Sequence, residues 1–326
     1  MVADSKTERF MEHFYNDTTP ITLWHYTDCK GLIGIIEDKK LKLWFTRSDC
    51  LNDISEGKDI EKYYSIVCQD LLNQNMISKE FYEAVKGVKP TNDRLLVYPS
   101  PPKPSAVSKR KMNVTSISLS ECETFICCFS SAENSLEMWR YYSQKDGYAL
   151  GILTQSFQNL RSKPFDEFCD NSVYNYVQFN KVLYSEQEKK DRIKKLILEF
   201  NGYFNSGEME LEVCVKHIIR QLSWLQFVFK DECFCNEQEY RLTYFRPIVK
   251  PNGMKQNLPE IKYRNREGIV VPYVEITFDE KDLRLNKLYV SPFLRNTNAS
   301  KASEELLSKK GFTNFQVIQS TLPVRF

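Results

Sequence analysis

The stretch that decides the fold runs from Thr124 to Leu153, TFICCFSSAENSLEMWRYYSQKDGYALGIL, and contains two predicted strands with a helix between them. The first strand is predicted over Thr124–Ser130, where apolar and β-branched residues dominate. The helix is predicted over Ser135–Tyr142 and the second strand over Tyr148–Leu153. The two strands predict a sheet whose rim carries the polar residues that follow Phe129.

The rest of the chain extends this pattern on both sides. Further strands are predicted over Ile21–Thr27, Leu41–Thr46, Ser172–Tyr184 (one or two strands), Glu239–Phe245, Tyr273–Phe278, Leu288–Ser291 and Phe315–Ile318. Helices are predicted over residues 29–38, 59–72, 186–201, 208–230 and 299–310. Strands come in runs and helices are grouped between them, which indicates an α+β fold with mostly antiparallel sheets rather than a doubly wound parallel sheet.

We expect residues 1–326 to form a single α+β domain that carries two distinctive segments. Residues 88–113 hold five prolines and six basic residues against one acid, which predicts a mobile, basic, Pro-rich loop. The loop is either a solvated insertion or a surface that faces a substrate. Residues 186–230 predict a helical layer inserted between the strands, with a broad apolar face.

The composition excludes several classes of protein. A formal net charge of +2 predicts no bulk attraction to nucleic acid or membrane. The 3 histidines are far apart in the sequence, which argues against a multi-histidine metal site, and we predict no metal. The 11 glycines form neither GxGxxG nor GxxxxGK[ST], so the two commonest phosphate-binding loops are absent.

The 10 cysteines show neither disulfide nor zinc spacing. Cys127 and Cys128 are adjacent, and Cys233 and Cys235 are two apart, whereas zinc knuckles prefer CxxC. The N-terminal residues are charged where a secretion signal has its apolar core, and no apolar run is long enough for a membrane span. We therefore expect a cytoplasmic protein whose thiols are reduced.

Two short motifs carry candidate site residues on strands and their ends. In Trp24-His25-Tyr26-Thr27, His25 and Thr27 share one strand face with apolar residues, so His25 is expected to be partly buried. It is either a hydrogen-bonded core residue or a ligand contact. Ser130 ends its strand at the sheet rim.

Further candidate site residues lie on the predicted helix, on a late strand and in a turn. Trp139 and Tyr142 share a helix face, as core residues or as a stacking platform. If the late strand begins by Glu237, then Glu237, Glu239 and Arg241 project from one face, as a surface ion pair or as functional carboxylates. Asn52 lies in LNDISEG (51–57), which is typical of a turn and helix cap.

These motifs together resemble a widespread bacterial family known as a domain of unknown function. The resemblance rests on five motifs spanning most of the chain: HYT (25–27), LND with a following Glu (51–56), CFS (128–130), MWRYY (138–142) and NEQEYRL (236–242). The first, third and last of them also resemble the three motif positions of the ADP-ribosyltransferase superfamily. That likeness implies a split, mostly antiparallel sheet. It also implies an enzyme that takes NAD as its substrate.

The superfamily likeness assigns roles to the motif residues. His25, with Tyr26 and Thr27, would anchor the ribose on the adenosine side, and Ser130 would occupy the second motif. Glu239 would carry the chemistry, and Glu237 would be the first acid of the ExE pair. The remaining predicted NAD contacts are Trp139, Tyr142, Arg241 and Asn52, with Tyr142 and Tyr148 both candidates for the tyrosine that lines the nicotinamide pocket.

The reaction implied is cleavage of the nicotinamide–ribose bond, with transfer of ADP-ribose to an acceptor, as in a toxin or defence protein. The acceptor is a macromolecule (protein or nucleic acid), a small molecule or water. Such cleavage passes through an oxocarbenium-like cation, which a nearby carboxylate stabilises. Two alternatives remain open. One is a non-catalytic module that binds a nucleotide or nucleic acid, and the other is a hydrolase with Glu237, Glu239, Asp53 and Glu56 around Mg²⁺.

Overall fold

A computed structural model describes residues 21–52, 59–90, 122–143, 147–153, 177–248, 258–266, 268–295 and 297–324. Eleven strands are present in these ranges: β1 Thr22–Thr27, β2 Ile36–Glu37, β3 Lys40–Arg47, β4 Cys122–Ser130, β5 Tyr148–Leu153, β6 Val177–Lys181, β7 Glu239–Pro247, β8 Lys262–Arg266, β9 Ile269–Asp279, β10 Leu285–Val290 and β11 Gln316–Gln319. The helices are α1 Cys29–Ile35, α2 Ile60–Asn73, α3 Lys79–Val85, α4 Leu136–Tyr142, α5 Glu186–Asn205, α6 Leu211–Leu225 and α7 Ala299–Lys309.

The strands form one open sheet in the order β11-β10-β5-β1-β4-β3-β9-β8, with β2 beside β3 and β7 between β4 and β6. Every neighbouring pair is antiparallel except β10 and β11, which run parallel. The predicted α+β class with a mostly antiparallel sheet is confirmed. The likeness to the split sheet of the ADP-ribosyltransferases stays a prediction.

Two large apolar clusters make up most of the core of the described residues. The inward faces of the strands pack with α1 and α7 in a sheet cluster that includes Leu23, Phe45 and Phe125. The apolar stripes of α2, α3, α5 and α6 meet in a second, helical cluster that includes Leu196 and Ile218. Residues 186–230, predicted as a helical layer, contain α5 and α6 and supply much of this second cluster.

Helix starts follow the capping residues in the sequence. Asp28 caps α1 by accepting a hydrogen bond from the backbone N–H of Gly31, and Ser135 caps α4 in the same way through Met138. Ser185 and Glu188 form a complete capping box at α5. These caps fix where α1 and α4 begin after β1 and β4, the strands that carry His25, Tyr26, Thr27 and Ser130.

Several predicted boundaries are wrong. The helix predicted over 29–38 ends at Ile35, because Ile36 is extended and pairs as β2 with β3. The helix predicted over 208–230 ends at Leu225, and Lys230 lies in an extended segment after it. Neither α3 nor β8 was expected. Within the predicted loop 88–113, residues 91–113 lie outside the described residues, as do residues 172–176 of the predicted strand 172–184.

No helix in the part of the chain that the structure describes combines the length and the apolar character needed to cross a membrane.

Candidate functional site

The sheet forks at β4, and the fork lines a groove. On one side, β7 pairs with β4 along its whole length. On the other side, β3 pairs at Phe125 and Ile126, whereas β1 pairs at Ser130 alone. Between these contacts, residues 127–129 line a cavity of about 750 Å³ together with β1, β3 and β8. That volume is typical of pockets for small molecules and cofactors.

His25 fills the fork where β1 and β3 separate. Its Nδ1 lies 2.9 Å from the carbonyl oxygen of Cys128, a backbone acceptor in the stretch that neither β1 nor β3 pairs. Burial lowers the pKa of His25 although the bond to Cys128 opposes that change, so the imidazole is neutral at pH 7. Nδ1 then carries the proton, and Nε2 is left as an acceptor on a residue that lines the cavity.

At one end of the groove, two carboxylates and two cations form a closed network. The Nζ of Lys230 lies 2.6 Å from Glu237 Oε2 and 3.0 Å from Glu239 Oε2. Arg241 donates from Nε to Glu239 Oε1 at 2.9 Å and from Nη2 to Glu239 Oε2 at 3.0 Å, a bidentate pair. We call these four residues the paired cluster.

Most of the paired cluster is buried. Lys230 is 2% exposed, Glu239 3% and Arg241 0%, whereas the Glu237 side chain is 15% exposed. Burial alone would raise the pKa of Glu239, but Arg241 and Lys230 outweigh it and hold that pKa at about 2. Burial likewise opposes the charge on Lys230, yet Glu239 and Glu237 raise its pKa above the usual value. All three buried groups are therefore charged and mutually compensated.

The expectation that Glu237 lies on the same strand face as Glu239 is wrong. The strand begins at Glu239, Glu237 ends a 3₁₀ turn, and Gln238 between them has a φ of 44° in the left-handed region. This turn removes Glu237 from the strand alternation. The two carboxylates nevertheless converge, because both bind Lys230, a residue that the sequence analysis did not single out.

Tyr142 and Asn52 hold Glu237 from the groove side. The hydroxyl of Tyr142 donates to Glu237 Oε1 at 2.6 Å, and Asn52 Nδ2 lies 3.2 Å from the same oxygen. Asn52 Nδ2 also donates to the Tyr142 hydroxyl at 3.0 Å. Burial and then Glu237 raise the pKa of Tyr142, which stays protonated and donating. Of the two candidate tyrosines, Tyr142 lines the cavity and Tyr148 does not.

Among the predicted site residues, seven line the cavity: His25, Tyr26, Thr27, Asn52, Tyr142, Glu237 and Glu239. Ser130, Trp139 and Arg241 are fully buried and do not line it. The Ser130 hydroxyl donates to the carbonyl of Glu237 at 2.6 Å, which fixes the turn before β7. Trp139 packs edge-on against Tyr26, with ring centroids 4.9 Å apart, so its ring supports the wall from behind.

The other end of the groove is formed by β8 and its neighbours, which sequence reasoning missed. Arg264 and Arg266 line it from β8, and Lys30 lines it from α1. Trp44, Tyr263 and Tyr273 also line this end, and the rings of Trp44 and Tyr273 lie against Arg264. We call Lys30, Arg264 and Arg266 the basic end.

The described residues contain no group of three or more His, Cys, Asp or Glu side chains that could hold a metal ion. Asp53 and Glu56 of the magnesium alternative lie outside the described residues. Glu237 and Glu239 bind the ammonium group of Lys230 between them, at the position where a shared metal ion would have to lie. These two carboxylates therefore do not fit a metal centre while Lys230 is charged.

Comparison with known proteins gives a match to one family, whose function is unknown. No curated protein and no solved structure matches the chain. Residues 138–242 match the model of a family described as "Protein of unknown function (DUF2971)". That range covers most of α4, all of α5 and α6, and the turn and first residues of β7 that carry Glu237, Glu239 and Arg241. The predicted resemblance to a family of unknown function is thus confirmed over residues 138–242.

Proposed function

We propose that the groove binds NAD and that the protein cleaves the nicotinamide–ribose bond and transfers ADP-ribose to an acceptor. The observation that carries the proposal is the convergence of His25, Tyr142, Glu237 and Glu239 on one cavity of about 750 Å³. These residues come from motifs up to 214 positions apart in the sequence. Their meeting in a ligand-sized cavity supports the likeness to the ADP-ribosyltransferase motifs.

In the proposed reaction, the bond between ribose C1′ and the nicotinamide nitrogen breaks, and nicotinamide leaves with the bonding electron pair. The acceptor then forms a bond to C1′ and loses a proton. Glu237 is the carboxylate for this chemistry, since it is the more exposed of the two acids. It stabilises the oxocarbenium-like cation and accepts the proton of the incoming nucleophile.

Glu239 acts behind Glu237 rather than on the substrate. It is 3% exposed, and its pKa of about 2 makes it a poor proton acceptor. Its charge keeps Lys230 in place, and Lys230 orients Glu237. Tyr142 supplies the aromatic surface beside the reacting bond, because Trp139 is buried behind the wall.

The experiment is incubation with NAD labelled in the adenylate part, with and without cell lysate, followed by measurement of nicotinamide release and of label transferred. Glu237→Gln should lower the rate roughly 10²- to 10³-fold, by analogy with loss of one oxyanion-hole donor. The matched control is Glu212→Gln, which removes an exposed carboxylate from a surface pair with Lys216. Nicotinamide release without label transfer would make the protein an NAD glycohydrolase. Equal rates in wild type and Glu237→Gln would refute the assignment.

A non-catalytic nucleotide-binding module is the second candidate, and one observation favours it. Each charge of the paired cluster already has a partner, which suits a static wall of a binding pocket as well as a reaction centre. Such a module would bind NAD without releasing nicotinamide. Binding measured by calorimetry, together with zero release over hours, would select this candidate.

A further inference from the structure

The basic end of the groove carries an excess of positive charge. Lys30, Arg264 and Arg266 line it, and Asp28 is the carboxylate that lines the cavity beside them. Asp28 caps α1 by accepting from the Gly31 N–H at 2.5 Å, and its charge still acts on Arg264 and offsets part of the positive charge. Lys230 adds no free charge, because Glu237 and Glu239 pair with it at the other end. Three cations therefore face one carboxylate.

Arg264 is held in place without an ion-pair partner among the described residues. Its guanidinium carbon lies 5.5 Å from the ring centre of Trp44 and 5.6 Å from that of Tyr273. Nη2 donates to the hydroxyl of Thr46 at 2.7 Å. Two rings and one hydroxyl thus fix the plane of the guanidinium before any ligand is present.

The Nε of Arg264 is buried and has no hydrogen-bond partner in the described structure. Buried donors without a partner are rare, because each one forfeits its bond to water. Burial, and then the nearby charge of Arg266, lower the pKa of Arg264 from its usual value. An anion at this position would offset both costs, since it would supply an acceptor and an opposite charge.

We propose that Arg264, with Arg266 and Lys30, binds the diphosphate of a nucleotide that lies in the groove. A diphosphate offers several oxygens to forked guanidinium donors, and its negative charges match the excess of cations. The inference deepens the proposed function and rests on it for the identity of the nucleotide as NAD.

The competing explanation is that Arg264 only fastens β8 to β3, through Thr46 and the ring of Trp44. In that case its replacement would change the stability of the β8–β9 hairpin and leave ligand binding alone. Variants of Arg266 and Lys30 distinguish the two explanations, because both side chains are exposed. Their loss removes charge from the groove without removing packing.

The test is calorimetric titration with ADP, inorganic pyrophosphate and adenosine at one fixed ionic strength. Arg264→Gln should weaken ADP and pyrophosphate binding roughly ten- to a hundred-fold, about 1.4 kcal/mol for each factor of ten, and leave adenosine binding unchanged. The double variant Lys30→Gln/Arg266→Gln should weaken the same two ligands. Lys262→Gln is the matched control, since Lys262 lies on β8 but pairs with Glu275 and does not line the groove.

The outcomes separate this inference from the proposed function. Equal ADP affinity in wild type and in the double variant overturns the diphosphate site, whether or not Arg264→Gln folds. The same holds if the wild-type protein binds neither ADP nor pyrophosphate. Pyrophosphate binding that depends on these residues, with no nicotinamide release from NAD, keeps the site and refutes the proposed reaction.

Discussion

The two ends of the groove differ in whether their charged side chains have partners of opposite charge. In the paired cluster, Glu237, Glu239, Lys230 and Arg241 compensate one another within hydrogen-bond distance. At the basic end, Arg264 has a buried Nε without a partner and no ion pair within the described residues. The first arrangement is complete without a ligand, whereas the second leaves charge unsatisfied.

This difference distinguishes residues that stabilise the free protein from residues that bind a ligand. Removing one member of a buried, hydrogen-bonded charge network leaves the others uncompensated, so the free protein loses stability. Removing an unpaired cation relieves repulsion and desolvation. The free protein therefore loses little stability, and the binding of an anionic ligand is weakened instead. Variants of the paired cluster should therefore lose more stability than variants of the basic end.

Glu239→Gln should destabilise the free protein most. The change leaves Arg241 and Lys230 buried with one carboxylate between them, and breaking a buried pair costs about 3–5 kcal/mol. The shift of the urea midpoint measures the loss. The control is Glu275→Gln, because Glu275 pairs with the half-exposed Lys262 and such pairs are worth about 0–1 kcal/mol. A shift no larger than that of the control would contradict the view that the paired cluster holds the fold.

The stabilisation from Glu239 should disappear at acid pH. The pKa of this carboxyl falls from an ordinary 4.5 to about 2 on folding, so its contribution is complete above pH 4.5 and is lost as the pH falls to about 2. The amount at stake is about 3 kcal/mol, since each pKa unit corresponds to about 1.4 kcal/mol.

Urea unfolding of wild type and Glu239→Gln at several pH values between 7 and 2 measures this loss as a difference. The gap between the two proteins should shrink across the window from pH 4.5 to 2. A gap that stays constant over the window would mean that Glu239 is not ionised in the folded protein.

The sequence predicted which side chains share a face of one strand. It did not predict the position of a side chain that depends on a turn. Glu239 and Arg241 are two residues apart on β7, so strand alternation alone places their side chains on one face. The same rule failed at Glu237, because Gln238 adopts a positive φ that no propensity at that position indicates. The convergence of the two acids depends instead on Lys230.

Lys230 and β8 were missed for physical reasons that differ. Lys230 follows a helix whose apolar pattern extends through Phe229, so the sequence placed it in the helical layer instead of the groove. The sequence of β8, KYRNR, is polar and mostly exposed, and it forms a strand because β9 offers it a partner at the sheet edge. The position of Lys230 and the strand β8 both depend on pairing with distant parts of the chain, which the periodicity of the sequence does not encode.

Tyr142→Phe should have a moderate effect on the paired cluster. The change removes the 2.6 Å hydrogen bond to Glu237 and leaves that carboxylate with Lys230 and Asn52. A hydrogen bond to a charged group contributes about 1.5–3 kcal/mol, and we expect the lower part of that range because Asn52 remains.

The urea midpoint of Tyr142→Phe gives the stability change, and NAD turnover in the same variant gives the effect on the reaction. Tyr82→Phe is the matched control, since it removes an exposed hydrogen bond to Gln69 and Tyr82 does not line the groove. Turnover lost with stability unchanged would mean that the hydroxyl contacts the substrate instead of holding Glu237.

Arg264→Gln should change the stability of the free protein least, by about 1 kcal/mol or less. The variant loses a cation–π contact worth about 0.5–1 kcal/mol with Trp44 and Tyr273, and one hydrogen bond to Thr46. It also relieves the desolvation of the guanidinium and its repulsion with Arg266, which acts in the opposite direction. The urea midpoint without ligand should therefore stay close to that of wild type, while added ADP stabilises wild type more than the variant. A loss as large as that of Glu239→Gln would make Arg264 a structural residue, and the two ends of the groove would then differ in position but not in role.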